Sequence, residues 1–218
     1  ELEELQNKLY AEGKWSLLIV LQGMDASGKD GAVREVFSAV NPQGVRVKSF
    51  KVPTEEELAH DFLWRVHQHT PRKGKIQIFN RSHYEDVLVT RVLGLTDDET
   101  ARKRFDIINA FERLLQERGT QILKFYLHIS EEQQQERFQE RLNNPRKHWK
   151  YNPNDLKSAA DWPLYRQYYG EVFENCGPDI PWTIIPADQN WYKEFLIAEK
   201  IVTTLRALNM KYPGLETE

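Results

Sequence analysis

Gly23-Met-Asp-Ala-Ser-Gly-Lys-Asp-Gly31 concentrates more reactive chemistry than any other stretch of this sequence. Glycines at 23 and 28 let the backbone curl so that several N–H groups point inward, and a helix opening just beyond them adds partial positive charge. Together these make a cradle for a phosphate anion, to which Met24, Ala26, Ser27 and Gly31 contribute as loop positions. Lys29 then reaches over the phosphates. The spacing G-x-x-x-x-G-K is met, but Asp30 stands where a Ser or Thr hydroxyl usually holds magnesium. Asp25, inside the loop, is the substitute ligand. Two carboxylates beside a phosphate would repel it unless a divalent cation lies between them, so Mg2+ is the expected metal. A glycine-rich turn with solvated charges is the plainer alternative, and the strand before and the amphipathic helix after the loop argue against it.

Two further groups carry chemistry. Arg81, in Asn80-Arg81-Ser82, follows an apolar strand and falls at the same sheet edge as the loop if the strands are parallel. A guanidinium there can grip two phosphate oxygens at once, although a surface arginine at a helix terminus has the same local sequence. Glu85 reads first as the far end of a capping box begun by Ser82. Arg141-Leu-Asn-Asn-Pro-Arg-Lys-His-Trp-Lys150 holds four Arg/Lys, one His and no acid. Arg137, one turn before Arg141, shares its helix face. With Asp155-Leu-Lys beyond it, this Pro-interrupted run reads as a lid that brings Arg137, Arg141, Arg146, Lys147 and Lys150 over a transferring phosphoryl group. A solvated charged face is the competing reading.

The elements that must position these groups alternate. Leu2, Leu5, Leu9 and Tyr10 predict a short leading helix, Trp15 to Gln22 a strand, and Ala32, Val33, Val36 and Phe37 the helix after the loop. Val45 to Val52 is a second strand. Thr54-Glu-Glu-Glu57 caps a helix whose buried stripe is Leu58, Phe62 and Val66. Lys75 to Asn80 is the third strand, Ser82 caps a helix carrying Val87, Leu88, Arg91 and Val92, and Thr96 caps a longer one through Leu115. Thr120 to Ile129 is the fourth strand, Ser130 opens another helix, and Ile180 to Ala187 is a short fifth strand before a helix over Trp191 to Leu208. Strands alternating with helices imply an α/β doubly wound parallel sheet with ligands at the carboxyl ends of its strands.

The 218 residues suit one such domain, spanning 1–218 with the lid as an insertion at about 137–165. A net charge of −3 gives no global basic field, so nucleic acid is not an expected partner. The single cysteine, Cys176, excludes an intramolecular disulfide framework and fits a reducing cytosol. No stretch approaches the roughly 18 apolar residues of a membrane span, so a soluble, cytoplasmic protein without a membrane partner is expected. The chain opens without Met on a Glu/Leu helical pattern, as a trimmed N-terminus would. His67, His69 and His83 form no zinc spacing with a cysteine. Trp162, Tyr165, Tyr168, Tyr169 and Phe173 form an aromatic stripe that reads as core packing rather than a base-stacking platform.

Taken together, Gly23 to Gly31, Asp61-Phe-Leu-Trp-Arg65, Phe79-Asn-Arg-Ser-His-Tyr-Glu-Asp86, Pro145-Arg-Lys-His-Trp-Lys150 and Pro181-Trp-Thr-Ile-Ile-Pro-Ala-Asp188 resemble the polyphosphate kinase 2 family. That family's loop is G-x-D-x-x-G-K-x-G, which accounts for Asp25 and Asp30. The resemblance covers nearly the whole chain and implies a P-loop kinase-like three-layer α/β/α fold with a five-stranded parallel sheet and a helical lid. It further implies phosphoryl transfer between inorganic polyphosphate and AMP, ADP or ATP, with Mg2+. Asp25, Lys29, Arg81, Arg137 and Arg141 would be catalytic, and Arg65, Asn80, Arg81 and Glu85 would meet the nucleotide. Many relatives have Asp at the position of Asn80 and Asn at that of Glu85. Asn80 carries no charge for magnesium, and the Asn/Glu pairing is similar to the subgroup that accepts monophosphates as well as diphosphates. Homo-oligomers are common in families of this kind, so one is expected here. An ATP-dependent nucleoside monophosphate or metabolite kinase is the nearest alternative, and a non-catalytic nucleotide-binding regulatory module the alternative of another class.

Overall fold

A computed structural model describes residues 1–150 and 161–215. Residues 151–160 of the expected lid, with Asp155-Leu-Lys, lie outside the described residues. Five parallel strands, β1 (Ser16–Gln22), β2 (Val45–Ser49), β3 (Ile76–Asn80), β4 (Thr120–His128) and β5 (Trp182–Pro186), form one sheet in the order β2-β3-β1-β4-β5. The continuous apolar run of β1 places it at the centre, with every residue buried, as expected of a parallel strand covered on both faces. Edge strand β2 instead has no fully buried residue.

Helices α1 (Leu2–Glu12), α2 (Lys29–Val36) and α9 (Asn190–Ala207) pack together, while α6 (Asp98–Glu117) packs with α8 (Trp162–Asn175) and with β4. The sheet between them completes three layers. Leu17 to Leu21, Ile76, Ile78, Phe79, Phe125, Ile197, Ile201 and Leu205 supply the core, each buried large side chain contributing about 1.5–3 kcal/mol relative to exposure. No helix of the described residues is long and apolar enough to cross a membrane.

Three local expectations are corrected. The helix expected from Thr54 to Val66 is two short turns, α3 (Glu55–Leu58) and α4 (Trp64–His67), and Leu58 is exposed. The Thr54/Glu57 capping box does form, but Asp61 accepts the Leu63 N–H and offers the backbone a bond that competes with helix continuation. After Ser82 the chain makes a 3₁₀ turn (His83–Val87) before α5 (Val89–Val92). The Ser82 hydroxyl accepts the Tyr84 N–H, so no capping box engages Glu85. Helix α6 is capped by Asp97, one residue after Thr96. Helix α7 (Glu131–Asn143) opens on the Ser130 cap as expected and is followed by a 3₁₀ turn over Pro145–Lys150.

Candidate active site

The chain leaves β1 for one edge of the sheet, returns through β3, and crosses β1 to reach β4. The carboxyl ends of β1 and β3 therefore flank a crevice of the kind that binds ligands in open α/β sheets. Leu21 pairs with Asn80 in this register, which sets the glycine loop beside Arg81. Side chains are not tolerated at two loop positions. Gly23 (φ +151) would place a Cβ 2.6 Å from the Leu127 carbonyl oxygen, and Gly28 (φ +90) would place one 2.5 Å from Lys193 Nζ.

Lys29 is buried and turns back on its own loop, donating to the carbonyls of Gly23 (2.7 Å) and Met24 (3.1 Å). Burial, reinforced by the neighbouring Arg81 charge, lowers its pKa to about 8. Arg81 has a left-handed backbone (φ 61) and donates to Asp25 Oδ1 at 2.6 Å, with Glu85 Oε2 3.6 Å from its other terminal nitrogen. Glu85 and then Asp25 hold that guanidinium protonated, above its ordinary value. Asn80 donates its amide to Asp30 Oδ1 at 2.7 Å.

A cleft of about 600 Å³ opens over the loop and includes Asp25, Lys29, Asp30, Asn80, Arg81, Lys51, Arg141, Trp149 and Lys150 in its walls. A smaller cavity of about 60 Å³ lies on the other side of Asp25 and Arg81, between Gly23 and Met24 and the side chains of Glu85, Leu88, Val89, Tyr165 and Tyr169. Asp25 and Arg81 thus form the partition between a cationic cleft and a partly aromatic cavity. The aromatic stripe of α8 is core packing through Tyr169, Tyr126 and Phe173, yet its Tyr165 and Tyr169 also wall this cavity.

The basic residues predicted as one group separate. Arg141 and Lys150 line the cleft, and Lys150 lies 3.9 Å from Asp30. Lys147 instead pairs with Glu140 at 2.5 Å, and Arg146 is exposed outside the cleft walls. Arg137, expected over the transferring phosphate, meets the glycine loop itself. Its guanidinium donates to the carbonyls of Ala26, Ala187 and Asp188, each at 2.8 Å, bracing the loop from behind. Arg65, expected to meet the nucleotide, is buried, donates to the Lys51 carbonyl and lies near Glu57 and Asp86 beneath the cleft wall.

Two residues behind the loop and one in the cleft wall were not expected from the sequence. Gln134 donates to the Asp25 carbonyl at 2.8 Å, and only its position one turn before Arg137 could have signalled it. Lys193, wholly buried behind Gly28, bonds Asn190, and burial lowers its pKa to about 8. Lys51, exposed in the cleft wall, carried no signal.

Among the described residues no group of three or more His, Cys, Asp or Glu converges as a protein-only metal cage. Magnesium does not require one, since it keeps waters and shares phosphate oxygens with one or two carboxylates. Asp25 and Asp30, both on the cleft and already oriented by Arg81 and Asn80, are a donor set of that kind.

A strand, a glycine loop and a helix at the carboxyl edge of a parallel sheet define the P-loop class of phosphate-binding proteins. The family model for polyphosphate kinase 2 matches residues 1–213, and the chain belongs to that family. It is 54% identical over 217 residues to the AMP/ADP-polyphosphate phosphotransferase of Meiothermus ruber, covering 99% of this chain and 81% of the relative. Identity to the ADP-polyphosphate phosphotransferase of Rhodopseudomonas palustris is 39% over 225 residues, covering 97% and 78%. The crystal structure of polyphosphate kinase 2 from Arthrobacter aurescens superposes with a TM-score of 0.97 at 42% identity, over 100% of this chain and 78% of that one.

Proposed function

We propose that this protein is a phosphotransferase that moves phosphoryl groups between inorganic polyphosphate and nucleotides, phosphorylating AMP and ADP. The observation that carries this reading is the cleft itself. Its cations come from α2, the end of β3, α7 and the turn after it, so an extended polyanion can be met along its length. The family relationship supports the same reaction.

Catalysis follows from positioning and electrostatics. Lys29 exchanges the Gly23 and Met24 carbonyls for phosphate oxygens, whose negative charge favours its protonated form. Arg81, aimed by Asp25 and Glu85, stabilises charge developing on the transferred group, and Arg141 adds charge from the side of the lid. Asp25 and Asp30 would hold Mg2+, whose contribution is neutralisation of phosphate charge; Asn80 orients Asp30. An acceptor phosphate oxygen is already ionised near neutral pH, so no strong base is required. The nucleotide belongs on the side of Glu85, Tyr165 and Tyr169, where the walls are least cationic.

The deciding assay supplies ADP and polyphosphate with no ATP, then AMP and polyphosphate. ATP should form from the first mixture and ADP followed by ATP from the second, and a chelator should abolish both without shifting the melting temperature. No product unless ATP is supplied would instead assign an ATP-dependent kinase.

A further inference from the structure

Arg81 is one of the few non-glycine residues here with positive φ, a conformation that persists only where the surroundings over-determine it. Its N–H bonds the Leu21 carbonyl at 3.0 Å, and Ser82 next to it accepts from Gln22 at 3.2 Å. These bonds fix the start of the segment. Its direction beyond Ser82 depends on His83 and Tyr84, both wholly buried, while Arg81 and Glu85 on either side face the site.

Beneath them lies a buried polar network that the reaction does not use. The Tyr84 hydroxyl donates to Glu112 Oε1 at 2.7 Å, and Lys124 donates to that hydroxyl at 2.9 Å, to Glu112 Oε2 at 2.7 Å and to the Cys176 carbonyl at 2.5 Å. His83 Nε2 lies 3.2 Å from Glu112 Oε1. Burial alone would raise the Glu112 carboxyl, but His83 and Lys124 hold it below its ordinary value; burial keeps the Tyr84 phenol protonated as a donor. A buried ion pair is a poor source of stability, because apolar residues of similar volume often serve as well or better. Its directional bonds can nevertheless set where a segment sits.

We propose that Glu112 and Lys124, through Tyr84 and His83, are positioning residues that hold Arg81 and Glu85 in register with Asp25 for phosphoryl transfer. The pair stands on α6 and β4, away from both cavities, and acts by anchoring the inward face of the 3₁₀ turn whose outward face carries the chemistry. This inference rests on the proposed function, which the wild-type assay tests independently.

The experiment compares wild type with Tyr84→Phe, which keeps the ring on Trp182 (4.8 Å between centroids) and removes the hydroxyl, and with the apolar double variant Glu112→Leu/Lys124→Met. Turnover, KM for each substrate and melting temperature are measured for each. Tyr84→Phe should lower kcat about fivefold, as expected for loss of a buried hydrogen bond that acts on geometry. The double variant should lower kcat between about tenfold and a hundredfold, the range for reacting groups displaced by up to an ångström. In both, KM for polyphosphate should stay within about twofold, because Lys51, Arg141 and Lys150 are held elsewhere, and kcat should not track melting temperature. A folded variant with wild-type kcat, a kcat loss proportional to loss of folded protein, or a polyphosphate KM that rises with the loss overturns the proposal. If the double variant does not fold, Tyr84→Phe decides alone.

Discussion

The glycine loop and the basic turn after α7 both present positive charge to one cleft, but they are held in opposite ways. Behind the loop, Gln134, Arg137 and Lys193 are partly or wholly buried, and the first two bond directly to loop carbonyls. On the turn, Lys147 and Lys150 meet carboxylates of the protein itself, Glu140 and Asp30, at partly exposed positions. The loop is therefore organised before substrate arrives, whereas the turn holds exchangeable pairs that a polyanion can replace at little cost, since exposed ion pairs are worth about 0–1 kcal/mol. One region is built to stabilise a transition state and the other to gather a polymer.

Lys29 gives the comparison its strongest test. Lys29→Ala should reduce turnover by at least about 10²–10³-fold while the protein stays folded, because the lysine acts on developing charge and is not part of the apolar core cluster. Near wild-type turnover would remove the loop from the mechanism. Burial also predicts a pH effect. In the free enzyme kcat/KM should fall as pH rises through about 8, where Lys29 loses its charge, and Lys29→Arg should flatten that limb even if its rate is low. The stability contribution has the opposite sign: the cost of burying this charge is full below about 8 and disappears above its ordinary 10.5, so this group alone makes stability rise across that window.

Arg137 and Arg141 separate support from chemistry on a single helix. Arg137→Ala leaves the Ala26, Ala187 and Asp188 carbonyls without this donor and should cost about 1–3 kcal/mol in a denaturation curve, with activity falling alongside. Arg141→Ala should cost less stability than Arg137→Ala and lower kcat more than it raises KM. Matching stability losses in the two variants would erase the distinction between brace and contact.

The smallest effect is expected on the turn. Lys147→Ala/Lys150→Ala should raise KM for long polyphosphate a few-fold and flatten its salt dependence, because fewer counterions are released on binding, with little change toward ADP. Parallel plots of KM against chain length at two salt concentrations, for wild type and the double variant, would show that the turn does not hold the polymer.

Much of this was legible in the residue string because it depends on local chemistry. The apolar run Leu17 to Leu21 of β1, the glycines of the loop, the Thr54/Glu57 box and the Ser130 cap each report a backbone preference that neighbouring residues determine. The sheet's parallel character followed from alternation, and the meeting of the loop with Arg81 followed from the sheet. Leu58 and Thr96 fell outside the expected pattern because a nearby side chain, Asp61 three residues on or Asp97 next in the chain, bonded the backbone instead.

The residue string alone sets the class of most elements and the anion-binding character of the loop, since both arise from φ/ψ preferences, hydrophobic period and residue charge. What each cation does depends on how the elements pack. Arg137, Arg141, Arg65 and Lys193 look alike as letters, yet one braces carbonyls, one lines the cleft, one sits beneath its wall and one lies sealed behind Gly28. The reason is that a guanidinium or ammonium group on a long stem takes whichever acceptors the packed elements bring within reach, whether 111 residues away, as Ala26 is from Arg137, or three, as Asn190 is from Lys193.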